Sequence, residues 1–292
     1  MSEHEILYIA GEGRSGTTLL DIILGNQESA FSTGELVFFG EKGILNREYC
    51  SCGETVPDCA FWEKVITKWD YARTLSLKEY IQIRKQLVSK KKVFQIKKQL
   101  ENPERRVRAF LDDTDKLYSI IFEITGSKTI IDSSKSPGII PILEKLSYTV
   151  TVIHITRRFG DVLNSYKDSR KKDLKAGIEH DIKPSKTAYI LYSWVTKNFM
   201  TAMHSRGMRY KKIRYENLID DLEACIAELV DCNPEYLNIL ENRGPLYPAH
   251  LVAGSRIRMK KEITVAHKPM GSSYHRLRPL DKILARTIDA FY

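Results

Sequence analysis

Apolar residues along this chain gather in short uninterrupted runs that alternate with amphipathic stretches. Ile6-Leu7-Tyr8-Ile9-Ala10 is apolar throughout and stops at Gly11, the pattern of a strand buried on both faces. A glycine-bearing loop follows, and Thr17–Gly25 then sets Leu19, Leu20, Ile23 and Leu24 on one helical face. Similar strands are predicted at 128–131, 149–156 and 210–214, each followed by helical patterning over 137–146, 159–172 and 217–230. Pro184 opens a further helix running through Tyr189, Leu191, Trp194 and Phe199 to about Arg206. Strand, turn and helix repeated in this order predict an α/β fold with a central parallel sheet and helices on its faces.

Residues 61–125 break the alternation and read as an inserted helical segment or cap. Arg84 to Arg108 carries ten basic residues, with Leu87, Val88, Phe94, Ile96 and Leu100 interleaved. Such a run is usually a solvated helix face; a basic lid over an anionic ligand, or a peripheral membrane contact through 84–108, is the alternative. With no internal repeat, low-complexity tract or clear linker, residues 1–292 read as a single domain.

Composition narrows the class. The chain has 292 residues, of which 42% are apolar and 28% charged, which excludes disordered, collagen-like and coiled-coil proteins. Its 46 Lys and Arg against 37 Asp and Glu leave a net charge of +9. That excess points toward an anionic partner, such as nucleic acid, anionic lipid or a charged nucleotide, although many soluble proteins are basic for no specific reason. Met1-Ser2-Glu3-His4-Glu5 lacks the positive start of a signal peptide, and the apolar runs at 6–10 and 150–155 are too short to span a bilayer, so a cytoplasmic location is expected. The five cysteines are odd in number, and Cys50, Cys52 and Cys59 cluster. Three thiols could bind zinc, but a structural site takes four ligands and no His or fourth Cys lies nearby in sequence; reduced thiols are the expected state, with a disulfide or zinc as alternatives.

The chemistry is concentrated in Gly11-Glu12-Gly13-Arg14-Ser15-Gly16-Thr17-Thr18, between the first strand and helix. Glycines let several N–H groups turn inward, the helix N-terminus adds partial positive charge, and hydroxyls of Ser15, Thr17 and Thr18 add donors. The spacing is that of a P-loop, so the expected fold is the three-layer P-loop type. Thr17, however, stands where a nucleotide triphosphatase has its Lys. The strand at 149–156 leads into Arg157-Arg158 and not into an acidic Mg²⁺ ligand. Both features count against an ATPase or kinase.

Gly13-Arg14-Ser15-Gly16-Thr17-Thr18-Leu19-Leu20 resembles the 5′-phosphosulfate loop of sulfotransferases that use PAPS (3′-phosphoadenosine 5′-phosphosulfate), closest to the tyrosylprotein and bacterial branch. In that family an Arg after a later strand and a Ser eight residues on bind the 3′-phosphate, and Arg157 and Ser165 match this spacing. Arg214-Tyr215-Glu216-Asn217-Leu218 resembles the strand-Tyr-Glu element whose Tyr lies near the nucleotide. Gly254-Ser255-Arg256-Ile257-Arg258 resembles the late loop that closes over the phosphates, which implies donor roles for Ser255 and Arg258. Without the family, Arg157 would read as a surface ion pair, Ser165 as an ordinary helix residue and Tyr215 as a core tyrosine.

The resemblance also implies the reacting groups. In the tyrosylprotein branch the catalytic Glu lies twenty-one residues after the loop Arg, as Glu35 does after Arg14. Ser32-Thr33-Gly34-Glu35 reads equally as a helix capping box. Asp132-Ser133-Ser134-Lys135-Ser136-Pro137 resembles the family segment whose Lys contacts the transferring group, so Lys135 and Arg14 are expected to flank the leaving group, with Ser134 orienting the acceptor. The alternative is an exposed Asp132–Lys135 pair at a helix start. Cys50-Ser51-Cys52-Gly53, Cys59 and Phe61-Trp62 resemble a bacterial segment read as part of the acceptor-side wall.

The expectation is therefore a sulfotransferase that moves the sulfuryl group from PAPS to a hydroxyl of a small-molecule, lipid, sterol or carbohydrate acceptor and releases PAP. The family implies no metal requirement, and no nucleic-acid partner is expected. A P-loop small-molecule kinase with a degenerate loop and a non-enzymatic basic-surface binding protein are the other readings.

Overall fold

The computed structural model describes residues 3–89, 93–168, 171–173, 175–176, 178, 181, 183–266, 274, 277–290 and 292. In chain order the elements are β1 (Glu5–Ala10), α1 (Thr17–Gly25), β2 (Ala30–Gly34), α2 (Ala60–Ala72), α3 (Leu77–Leu87), α4 (Ile96–Glu101), α5 (Arg105–Thr125), β3 (Thr129–Lys135) and α6 (Ile140–Leu143). They continue with β4 (Thr149–Thr156), α7 (Phe159–Tyr166), α8 (Thr187–His204), β5 (Arg209–Arg214), α9 (Tyr215–Asp220), α10 (Leu222–Leu229), α11 (Pro234–Glu241) and α12 (Pro279–Asp289).

The five strands form one parallel sheet in the order β2-β3-β1-β4-β5. Strand alternation divides its side chains between two cores. Ile6, Tyr8, Ile130 and Val152 pack with residues of α2, α3 and α5 on one face. Leu7, Ile9, Ile131 and Ile153 pack with α1, α9, α10 and α11 on the other. Helices on both faces make the expected three-layer α/β fold. The chain leaves β1 toward β2 on one side and β4 toward β5 on the other, so the topology reverses between β1 and β4. Parallel α/β sheets bind ligands in the crevice at the strand C-termini at such a point.

Several boundaries differ from the sequence pattern. β2 carries no apolar run; as an edge strand it needs burial on part of its length only, and its Ser32 hydroxyl donates to the Asp21 carbonyl at 2.7 Å. The capping-box reading of Ser32–Glu35 therefore fails. β3 runs on to Lys135, so the Asp132–Lys135 segment lies within the strand and not after it. Helix is confined to a 3₁₀ turn and α6 over 137–143, where Pro141 shortens the run. The predicted helix at 159–172 stops at Tyr166, because Lys167 to Lys172 offers no apolar position to bury. The 217–230 helix divides at Asp221, whose carboxylate caps α10 by accepting from Ala224 N at 3.2 Å.

The basic stretch is not a uniformly solvated face. Arg84 is buried and pairs with Glu41 at 3.0 Å, Lys85 pairs with the same carboxylate at 2.6 Å, and Lys97 reaches Glu144 at 3.3 Å. Lys90, Lys91 and Lys92 lie outside the described residues. Among the described residues no helix is long and apolar enough to cross a membrane.

Candidate active site

A cleft of about 540 Å³ opens over the C-terminal ends of β1 and β4, lined by the loop after β1, Glu35, Lys135, Arg157, Ser165, Tyr215 and the 254–257 segment. Its floor is built by backbone geometry. Gly16 caps α1 with φ +92°, and a Cβ there would lie 2.3 Å from the Tyr215 ring. Only glycine accepts both the left-handed backbone and that contact. Arg14 also takes positive φ, 68°, as it turns the loop into the cleft. Glu12 is wholly buried and ties the loop to the following helices: it accepts from Tyr166 Oη and Ser193 Oγ at 2.7 Å each, and Lys197 approaches at 3.3 Å.

Arg157, at the end of β4, donates to the Arg14 carbonyl at 2.9 Å and lies 4.3 Å over the Tyr215 ring. The Arg157 side chain lines the cleft, and its Nε is buried with no hydrogen-bond partner among the described residues. Ser165 lines the same cleft from α7. Ser255 N donates to Thr18 Oγ1 at 3.2 Å, which draws the late loop onto the start of α1.

Glu35 and Lys135 meet. Lys135 Nζ donates to Glu35 Oε1 in an ion pair within the cleft, with the two side chains 19% and 10% exposed. Each residue follows a sheet irregularity. The β1–β3 register shifts before Lys135, which adopts φ 64°, and the β2–β3 register shifts before Gly34. Bulges of this kind bend a strand and re-aim its side chains. Gly34 has φ +76°, and a Cβ would lie 2.5 Å from the Val252 carbonyl, so the backbone of 252 packs directly beneath Glu35. Glu35 N donates to that carbonyl at 2.8 Å.

Asp132 lies below this pair and does not touch Lys135. It is buried, accepts from Tyr118 Oη at 2.6 Å and from Ser134 N at 2.8 Å, and burial raises its pKa to about 6. Ser134 is equally buried: its hydroxyl donates to Asp132 and accepts from Val37 N at 2.9 Å. The expected acceptor-orienting role of Ser134 is thereby corrected, because its hydroxyl holds the Glu35–Val37 turn. Asp21, on the buried face of α1, accepts from Ser133 Oγ at 2.6 Å and is raised by burial to about 7.

Of the sequence-predicted residues, the fold brings Gly13, Arg14, Gly16, Thr17, Thr18, Glu35, Lys135, Arg157, Ser165, Tyr215 and Ser255 around one cleft. Two are not on its walls. Ser15 is fully buried with its hydroxyl inside the loop. Arg258 is 1% exposed and donates to the Tyr49 carbonyl at 2.7 Å. Arg256 stands on the cleft wall in its place, because the 3₁₀ turn at Arg256–Met259 sends residues two apart to different sides. Lys183 also lines the cleft, and only its position in a basic, Pro-containing stretch could have signalled it.

The clustered cysteines, which have no His or fourth Cys near them in sequence, gain a neighbour from far along the chain. His250, 191 positions after Cys59, places Nδ1 3.2 Å from the Cys59 sulfur.

Residues 7–233 match the profile of the Sulfotransferase family, and the chain belongs to that family. The sulfotransferase domain from the curacin biosynthetic pathway has the same fold: it superposes with a TM-score of 0.50 at 16% identity, over 97% of this chain and 96% of the other. The sulfotransferase domain from the Synechococcus PCC 7002 olefin synthase gives a TM-score of 0.50 at 18% identity, over 97% and 94% of the two chains. No curated protein matches the chain significantly in sequence.

Proposed function

We propose that this sulfotransferase takes its sulfuryl group from PAPS and transfers it to a hydroxyl group of an organic acceptor. The observation that carries the reading is the convergence on one cleft of a lysine-free phosphate loop, the Glu35–Lys135 pair and Arg157 stacked on Tyr215. The residues fit the donor. The loop N–H groups and Arg14 suit the 5′-phosphosulfate, and the Arg157 guanidinium and Ser165, which line the same cleft, suit a 3′-phosphate.

In the transfer, the acceptor oxygen forms a bond to sulfur while the bond from sulfur to the 5′-phosphate oxygen breaks. The leaving PAP keeps that electron pair. Glu35 takes the acceptor proton as its oxygen attacks. Lys135 and Arg14 face the charge that grows on the leaving phosphate, and fixed cations in a partly dry cleft contribute most where charge develops.

Mixing the protein with radiolabelled PAPS and a panel of sterols, sugars, phenols and lipid extracts tests the reading. Label in an acceptor, dependent on Glu35, supports it; transfer of phosphate from ATP–Mg²⁺ to the same panel, with none from PAPS, overturns it.

A further inference from the structure

One group of metal-ligating side chains is not among the residues that line the cleft. Cys50, Cys52, Cys59 and His250 place their three sulfurs and one ring nitrogen within 4.8 Å of one another. Cys59 Sγ lies 3.2 Å and Cys50 Sγ 3.7 Å from His250 Nδ1. Around a tetrahedral zinc ion, with Zn–S of about 2.3 Å and Zn–N of about 2.0 Å, neighbouring ligand atoms are roughly 3.5–3.8 Å apart. A disulfide needs two sulfurs at about 2.05 Å and would leave the third sulfur and the imidazole without a role. Three sulfurs and one nitrogen converging on a single point is the donor set that zinc favours.

We propose that these four residues hold a structural zinc ion. All four positions of a tetrahedral ion are filled by protein, so none is left for a substrate or water, unlike a catalytic zinc. Each cysteine gives its thiol proton to solvent on binding, which leaves the occupied site with one net negative charge. Buried Arg258 donates to the carbonyl of Tyr49, the residue before Cys50, and so holds the start of the cysteine turn.

The surrounding backbone is arranged for ligation. Cys50 N donates to the Glu54 carbonyl at 2.8 Å and Gly53 N to the Cys50 carbonyl at 3.0 Å, while Gly53 takes φ +98°. This tight turn returns Cys52 toward Cys50. His250 and the residue after it are held by neighbours on the 50–62 segment. Trp62 Nε1 donates to its carbonyl at 2.7 Å, the Phe61 ring stacks on it at 5.3 Å, and Ser51 Oγ accepts from Leu251 N at 2.8 Å. The Phe61 stacking is the contact among these that sets the plane of the imidazole.

The ion would join two distant parts of the chain. The segment carrying His250 continues to Val252, which receives the Glu35 N–H, and then to Gly254 and Ser255 at the phosphate loop. Zinc therefore clamps the 50–59 hairpin to the strip of backbone that seats Glu35.

The test is metal content and thiol count on the purified full-length protein, prepared without chelator or reductant. About one zinc per chain by mass spectrometry is expected, with all five cysteines titrating in denaturant plus chelator. Cobalt substitution should give intense thiolate charge-transfer bands. Cys52→Ser, at the exposed ligand, should lose the zinc or hold it at least tenfold more weakly, while PAP still binds. Absence of stoichiometric zinc in wild type after zinc reconstitution overturns the proposal, as does a count of only three thiols, which means a disulfide. Full zinc retention in both Cys52→Ser and His250→Ala also overturns it.

Discussion

Lys135 Nζ and Glu35 Oε1 form an ion pair in the cleft, although the two residues are one hundred positions apart, Lys135 ending β3 and Glu35 directly following β2. Each is delivered by a register shift at the end of its strand, so the pair is a product of sheet geometry and not of local sequence. The pairing puts the proposed proton acceptor and the cation for the leaving group in one contact. It also implies that the donor's sulfuryl group must enter between or beside them for both to act.

Replacing Glu35 with Gln keeps the shape and removes the base. Turnover should fall by about 10²–10⁴, the usual worth of a positioned general base. PAP affinity should stay within about twofold, since the phosphate contacts come from other residues. Initial rates with labelled PAPS and calorimetric titration of PAP measure the two effects separately. Unchanged turnover would remove Glu35 from the mechanism.

Arg157 should distinguish the 3′-phosphate. Arg157→Ala is expected to weaken PAP by about ten- to a hundredfold, the range for a charge-assisted hydrogen bond. Adenosine 5′-phosphosulfate lacks the 3′-phosphate and should be weakened much less. Competitive binding of both nucleotides to both proteins gives the ratio, and equal weakening contradicts the role.

Buried carboxylates set a pH dependence of stability. Burial raises Asp21 to about 7 and Asp132 to about 6 in the folded chain, against about 3.9 for an unfolded Asp. Between those values the folded state binds more protons than the unfolded one, so stability is fully present below about pH 4 and falls as pH rises to about 7. Asp21→Asn stays neutral and can still accept the Ser133 hydroxyl. Its melting temperature should vary less over this window and exceed wild type at pH 8 by about 2–4 °C for each kcal/mol recovered. A steeper dependence in the variant would show that Asp21 is ionised in the fold.

What could be read from sequence follows from how local each feature is. The phosphate loop and α1 were legible because a glycine-rich turn between an apolar run and an amphipathic helix is specified by adjacent residues. β2 was not, because Ala30-Phe31-Ser32-Thr33-Gly34 has no strand pattern and is held at the sheet edge by β3 and Asp21. Glu12 reads as a loop residue, yet it is buried against Tyr166 and Ser193, which arrive more than one hundred and fifty positions later. The roles of Arg256 and Arg258 depend on the phase of a single 3₁₀ turn, which residue type does not reveal. The His250 contact with the cysteines is invisible to spacing rules, since the chain crosses the whole sheet between them.

The central claim is that the cleft is built for PAP-type nucleotides and not for a triphosphate with magnesium. Calorimetric titration of the purified protein with PAP, and separately with ATP–Mg²⁺, tests it most directly and needs no knowledge of the acceptor. The account predicts that PAP binds without any divalent ion and at least about tenfold more tightly than ATP–Mg²⁺, from its 3′-phosphate contact with Arg157. Tighter binding of ATP–Mg²⁺, with PAP weak or silent, would contradict it.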